Sequence, residues 1–317
     1  MFSFIKYLQG LKEVFQKNKG LWFTTMTLLS ILGITSTMYI MTTMTSDVSK
    51  KVYKSMAKEY NLKVISFLDS KREEFKKIAV VISQNELLVE FLQKNDEEKI
   101  TKITKNINDQ FVKQKIHHFN VSLYAVGANK AIVRPSIISV IKSKNIIYGI
   151  EVMSDGVFNT YLQPLIKDGA VYGVIEIKES IHNSKSYFDE TNNEFVFLLD
   201  KKMLPKISIA AKNGSYRDII NDYTVEQTFY DSKFLATVPE LGKESFKELI
   251  DNNYFIDDTF YRTYKIINDI NGAEIGMLLL GEQVDNEEGF VHLADNMTKT
   301  VTTVALGLVM SIMLFMF

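Results

Sequence analysis

The sequence predicts an α+β protein that is membrane-anchored, with a long stalk helix followed by two tandem antiparallel-sheet modules between two transmembrane helices. Three observations predict it: a stretch from 20 to 46 without a charged residue, apolar residues at helical spacing directly after it, and a hairpin pattern that occurs twice, 103 residues apart. The 317 residues are 46% apolar and 24% charged, enough material for one large or two modest hydrophobic cores. Lysine and arginine number 37 against 38 acidic residues, so no basic surplus points to nucleic acid. The absence of cysteine excludes disulfides, thiolate zinc sites and cysteine nucleophiles together.

The first segment, 1-19, carries Lys6, Lys12, Lys17 and Lys19 against Glu13, an excess that holds the amino terminus in the cytoplasm. Residues 20-46 exceed the roughly 20 needed to cross a bilayer core. No small-residue cleavage site follows them, so they read as an uncleaved first transmembrane helix. Residues 47-117 form a stalk and helical region. Val48, Val52, Met56, Tyr60, Val64, Leu68, Phe75, Ala79 and Ile82 recur at near-helical spacing between faces rich in lysine and glutamate, as in a long amphipathic helix. Two further helical stretches follow: NELLVEFLQ from Asn85, then Ile100, Ile103, Ile107, Phe111 and Ile116, opened by the acidic Asp96, Glu97 and Glu98. Heptad regularity is poor, which favours an intramolecular packing face over a long coiled coil.

From Phe119 the period changes from helical to alternating. Val121, Leu123 and Ala125 lead to the turn Gly127-Ala128-Asn129, after which Ala131 to Arg134 return; FVFLLD, Phe195 to Asp200, reads as another strand. Gly169-Ala170-Val171-Tyr172-Gly173 and Gly272-Ala273-Glu274-Ile275-Gly276 share the pattern G-A-x-x-G, each follows an aspartate or asparagine, and each has a tyrosine eight residues before its first glycine, Tyr161 and Tyr264. An Asp-Gly or Asn-Gly pair between strand-like runs is a hairpin signal, because both residues tolerate positive φ. These marks predict one sheet module over 118-190 and a similar one over 191-298. The uncharged run beyond Lys299 (299-317) reads as a second transmembrane helix, with a buried carboxy-terminal helix as the competing reading.

Tyr148-Gly149-Ile150-Glu151, together with Pro164 and the run Asp168-Gly169-Ala170-Val171-Tyr172-Gly173-Val174-Ile175-Glu176, resembles the pattern of one subfamily of double Cache domains. These are the extracytoplasmic sensor domains of bacterial chemoreceptors and sensor kinases. The resemblance implies a membrane-distal and a membrane-proximal PAS-like (Cache) module, residues 47-298 extracytoplasmic or periplasmic on the inner (cytoplasmic) membrane, and a homodimer. It also implies signal transduction, as in chemotaxis, in which a small-molecule ligand shifts the transmembrane helices. Arg134 matches an arginine usual in that subfamily. Tyr124 stands where a histidine is usual, Thr160 where another arginine is usual, and the loop Pro135 to Asn145 is shorter than usual. The amino-acid-binding signature of other double Cache receptors is missing; the one tryptophan, Trp22, lies in the first uncharged span.

Within the distal module the candidate ligand-binding residues are Tyr124, Arg134, Tyr148, Glu151 and Tyr161. Arg134 has the bidentate geometry to clamp a carboxylate or similar anion, Glu151 accepts from an amine, and the tyrosines supply hydroxyls and apolar walls. Equally, Arg134 and Glu151 can pair with each other, and sheet tyrosines commonly serve as core. In the proximal module Arg262 and Tyr264 stand out. No cofactor or metal is expected: His117, His118, His182 and His292 show no metal-binding spacing, and no P-loop, G-x-S-x-G or G-x-G-x-x-G is present. Asp257-Asp258 and Glu287-Glu288 read as surface. The expectation is therefore a sensor and not an enzyme, working with a signalling domain or partner outside this chain. The alternative is a structural or accessory membrane protein whose tandem modules mediate protein contacts.

Overall fold

A computed structural model describes residues 19–114, 119–127, 134–226, 229–230, 232–286, 289, 291–294, 296–297, 299–300, 302–304 and 306–307. The amino-terminal lysines before residue 19, the turn and return strand over 128–133, His117-His118, Glu287-Glu288 and residues 308–317 lie outside them. The chain divides into two compact units, Lys54–Val291 and a second made of Met1–Tyr53 with His292–Phe317.

Helix α1, Lys19–Ser83, is continuous. Among the described residues no helix is long and apolar enough to cross a membrane. The first part of α1 is uncharged but rich in threonine, and these hydroxyls are satisfied within the helix: Thr24, Thr35 and Thr43 donate to the carbonyls of Gly20, Ile31 and Tyr39 at 2.8 to 2.9 Å.

In the Lys54–Val291 unit the later turns of α1 bury Met56, Ala57, Tyr60, Val64, Phe67, Phe75, Ala79 and Ile82, the three- and four-residue spacing of one helix face. Phe67, not Leu68, faces inward, and Val48 is exposed. Helix α2, Glu86–Gln93, starts where Asn85 Oδ1 accepts from Leu88 N at 3.1 Å. Helix α3, Glu97–Lys113, starts likewise at Asp96, with Glu97 and Glu98 in its first turn, where carboxylates favour the positive end of the helix dipole.

The first sheet contains β1 (Phe119–Ala125), β2 (Ile147–Met153), β3 (Gly156–Lys167) and β4 (Ala170–Ser180) in the order β1-β4-β3-β2, all antiparallel. Between β1 and β2 lies helix α4, Pro135–Ser143, where the sequence suggested a loop. Proline at its first position supplies the φ a helix start needs, and Ile137, Val140 and Ile141 recur at helical spacing over the sheet. Among the described strands β1 is at the edge of its sheet, and the side-chain amide of Asn108 on α3 meets both backbone groups of Val121, at 2.8 and 2.9 Å.

After a short helix α5 (Ser184–Asp189), the second sheet contains β5 (Glu194–Asp200), β6 (Tyr216–Ile220), β7 (Tyr223–Glu226), β8 (Tyr254–Ile256), β9 (Phe260–Asn268) and β10 (Glu274–Gln283). Helices α6 (Ile209–Lys212), α7 (Ser232–Glu240) and α8 (Gly242–Asn252) lie between its strands in sequence. Its order is β6-β7-β5-β10-β9-β8. Without the β6-β7 hairpin, the order of strands β5-β10-β9-β8 repeats that of β1-β4-β3-β2, and the two G-A-x-x-G segments join equivalent strands.

The two turns nevertheless differ. Asp168 and Gly169 have φ of 51° and 77°, the paired positive values of a two-residue hairpin turn. In the turn of the second hairpin, 269–273, only Gly272 has positive φ, and Asp269 Oδ1 accepts from the N–H groups of Asn271 and Ala273 and shapes a longer loop. That loop touches the first sheet. Ile270 N donates to Ile150 O at 3.0 Å, and a Cβ on Gly149 would meet Ile270 Cγ2 at 3.0 Å, so glycine permits the approach.

Buried Glu282, at the end of β10, accepts from the Tyr60 hydroxyl at 2.7 Å and from Val291 N at 3.1 Å. Burial, reinforced by the Glu282 carboxylate, holds the Tyr60 phenol well above its ordinary pKa. Tyr60→Phe removes the donor from a buried carboxylate oxygen and is expected to cost about 1 to 3 kcal/mol. Urea unfolding of the full chain in detergent, beside the exposed-site control Leu62→Ala, checks this; equal midpoints for the two variants would contradict it.

Candidate functional site

Strand alternation gives the first sheet two faces with different contents. One face packs on α1, α2 and α3: Val121, Tyr161, Leu165, Ile175 and Ile177 join Phe75, Ala79, Ile82, Leu88, Leu92 and Ile100 in one core, with Tyr148 at its edge. The other face lies under α4, where Leu162 and Val174 pack against Ile137 and Val140, with Tyr124 and Ile147 beside them. Successive residues of a strand point to opposite faces. Glu176 on β4 therefore shares the α4 face with Val174, Glu151 on β2 with Ile147, and Thr160 on β3 with Leu162.

Arg134, the residue before α4, brings the carboxylates of that face together. Its Nη2 donates to Glu151 Oε2 at 3.0 Å and approaches Glu176 Oε1 at 2.5 Å, while Nε donates to Ser136 Oγ at 2.9 Å. Ser136 Oγ donates in turn to Glu151 Oε1 at 2.9 Å, and the Tyr124 hydroxyl to Glu176 Oε2 at 2.7 Å. The Glu176, Glu151 and Ser136 side chains are buried. The short approach to Glu176 Oε1 is off the N–H direction, so that oxygen is charge-paired but accepts no hydrogen bond. Thr160 Oγ1, fully buried, also has no hydrogen-bond partner.

The electrostatics follow from this packing. Burial opposes the Arg134 charge, yet the close approach and charge of Glu176, with the Glu151 charge behind it, outweigh burial and hold the guanidinium above its ordinary pKa. Burial raises the Tyr124 phenol, and the Glu176 charge raises it further. Removing Arg134 would strand two buried carboxylates, whereas in place it leaves the group of three with one negative charge in excess.

Of the sequence candidates, Tyr124, Arg134 and Glu151 come together. Tyr148 and Tyr161 do not: they face the stalk. Tyr148 donates to Leu68 O of α1 at 2.6 Å and accepts from Asn159 Nδ2 at 2.9 Å; Tyr161 is fully buried in the helix-packed core. Three members were missed. Ser136 was hidden in a presumed loop, and Thr160 was noted only for not being arginine. Glu176 had a legible signal, an acid within the apolar run Val174-Ile175-Glu176-Ile177 of a strand covered on both faces.

The second sheet contains a different buried cation. Arg262 is fully buried, pairs with Asp257 Oδ2 at 2.6 Å, donates to Thr237 Oγ1 at 2.9 Å, and lies 5.9 and 5.2 Å from the ring centres of Phe234 and Phe260. Asp257, expected at the surface, is thus a structural partner, and it also accepts from Thr259 N and Phe260 N. Burial lowers the Arg262 pKa against the pull of Asp257. Here one cation meets one anion. The buried His182 ring stacks on Phe229 at 4.5 Å and contacts Tyr230 and Glu226.

Solved structures similar to the chain include the ligand-binding domain of the Campylobacter jejuni chemoreceptor Tlp3 in complex with L-valine (TM-score 0.44, 12% identity, covering 77% of this chain and 96% of that one). Another is the sensor domain of the V. cholerae histidine kinase DctB (TM-score 0.38, 11% identity, covering 73% of this chain and 98% of that one). Both are sensory domains. No family model and no curated relative matches the chain.

On the stalk face, burial raises the Glu179 carboxyl pKa despite the neighbouring Lys71 ammonium at 3.1 Å. A raised folded-state pKa means that the native state gains stability from this group below the ordinary carboxylate range and loses it as pH rises through the folded value. Glu179→Gln is therefore expected to be the more stable form at pH 7 and to match the parent near pH 3. Thermal unfolding at both pH values reads this out; a parent more stable at pH 7 would contradict it.

Proposed function

We propose that the chain is the sensory part of a membrane-anchored bacterial signalling receptor, in which a small molecule binds the α4 face of the first sheet. The observation that carries the reading is the Tyr124–Glu176–Arg134–Glu151–Ser136 network, with Glu176, Glu151 and Ser136 buried, on the face that the stalk leaves free. A sheet whose two faces served packing alone would gain more from apolar residues at these positions, since a buried ion pair rarely stabilises relative to a hydrophobic replacement. A small-molecule site needs a few convergent polar groups in apolar walls, and Ile137, Val140, Leu162 and Val174 are such walls.

Membrane anchoring rests on the charge-free span 20 to 46 and the uncharged run after Lys299, with Lys54–Val291 as the external sensor. The in-helix threonine hydroxyl bonds support the first span, because a satisfied hydroxyl is tolerated in lipid. Protease added to spheroplasts carrying the full chain is expected to cut between Lys51 and Lys299 and to spare the amino terminus. Protection of residues 60 to 290 would overturn the topology.

Signal output begins with a shift between two arrangements of the first sheet and α4, limited by the differential affinity of the ligand for the two. The Ile270 contact with Gly149 and Ile150 gives the second sheet direct access to that change, since it touches β2 beside Glu151. A thermal-shift screen of the full chain against small organic acids, amines and amino acids tests the function. A ligand that binds only the native state at 100 times its Kd adds about 2.7 kcal/mol. At least one compound is expected to raise the Tm of the parent and to do so less for Tyr124→Phe. Stabilisation by none, or equal stabilisation of both proteins, would reject the site.

A further inference from the structure

The charge balance of the α4 face identifies the class of ligand it takes. Arginine in a small-molecule pocket ordinarily suggests an anionic ligand. Here the guanidinium already faces two carboxylates, Glu151 at 3.0 Å and Glu176 at 2.5 Å, and both are buried. Among the described residues the other cation of this face, Lys178, is directed to Asp155 at 2.5 Å, beside Phe158, and cancels within that pair. The site, among the described residues, therefore holds one uncompensated negative charge away from bulk water, an arrangement that costs free energy until a cation arrives.

Two unsatisfied atoms point the same way. Glu176 Oε1 accepts no hydrogen bond and Thr160 Oγ1 has no partner, although the residues are 1% and 0% exposed. They belong to one face of adjacent strands: Thr160 is opposite Lys178 on β4, two residues from Glu176, so the two are diagonal neighbours about 7 to 8 Å apart at Cα. Both can accept a hydrogen bond. An ammonium group offers three donors and no acceptor, whereas a carboxylate offers acceptors alone to a site short of donors.

We propose that this face binds a small organic primary amine, its ammonium group held by Glu176 Oε1 and Thr160 Oγ1 with Glu151 contributing charge, and that Arg134 is a positioning residue holding the two carboxylates together. The inference rests on the sensory reading above and replaces the anion that Arg134 alone would suggest. Tyr124 fixes the second oxygen of Glu176, leaving Oε1, which pairs with the Arg134 charge but accepts no hydrogen bond, as the oxygen open to a further donor. Thr160 fits the same chemistry: a hydroxyl leaves the negative excess in place, whereas a guanidinium at this position would cancel it.

The test is isothermal titration of the full chain in detergent at low ionic strength with ethanolamine, putrescine and 2-phenylethylamine, and separately with acetate and succinate. At least one amine is expected to bind and neither acid to do so. Glu176→Gln is expected to weaken amine binding at least tenfold. Because that substitution also removes a charge partner of Arg134, Thr160→Val serves as the second variant; its hydroxyl makes no bond whose loss would disturb the fold, and a several-fold weakening is expected. Binding of an acid that is weakened in Tyr124→Phe would overturn the amine assignment and keep the site. Amine binding unchanged in both Glu176→Gln and Thr160→Val would overturn the assignment to this face. Binding of no amine and no acid would overturn the inference, and the screen described above then decides separately whether the sensory reading stands.

Discussion

One helix backs two sheets. The later turns of α1 place Met56, Ala57, Tyr60, Val64 and Phe67, then Phe75, Ala79 and Ile82, on a single buried face; Tyr60 reaches Glu282 of the second sheet, while Phe75 meets Phe119 of the first, ring centres 5.4 Å apart. Because a strand alternates its side chains, the face given to α1, α2 and α3 is fully committed to packing. Everything else about the first sheet follows from that commitment. The acidic pair that shares Arg134 lies on the opposite face, which the nine residues of α4 cover.

Much of this was legible in the sequence. Apolar spacing marked α1 to α3, alternation marked β1, the run FVFLLD between turn residues marked β5, and the repeated G-A-x-x-G marked β3-β4 and β9-β10 as equivalent hairpins, which the common strand order bears out. Finer matters depended on tertiary contacts. Tyr148 and Tyr161 are ordinary sheet tyrosines in sequence, and only the register Tyr148↔Tyr161 and Tyr161↔Ile177 places them together on the stalk face. The two hairpin loops differ because the Asp269 side chain replaces a two-residue turn with its own hydrogen bonds. Helix α4 was read as a loop because its apolar stretch is short and follows a proline.

The arginines show why a residue type does not settle a site. Arg262 is fully enclosed, with one carboxylate partner and two aromatic rings, so its charge is closed off within the second sheet. Arg134 is partly exposed and shared by two carboxylates. The same guanidinium thus completes a neutral pair in one sheet and only partly neutralises an acidic pair in the other. Excess charge, more than the presence of arginine, sets what the first sheet can attract.

The central claim is that the two faces of the first sheet have separate roles, one packed permanently on the stalk and one opening to a ligand. The chain contains no cysteine, so a single introduced thiol reports on one position. Native-state thiol labelling of Thr160→Cys on the α4 face and Ala79→Cys on the stalk face, followed by mass spectrometry, measures the difference directly. The account predicts that the cysteine at 160 is modified under native conditions well before global unfolding, while that at 79 is modified only with it. Equal protection of the two positions would contradict it.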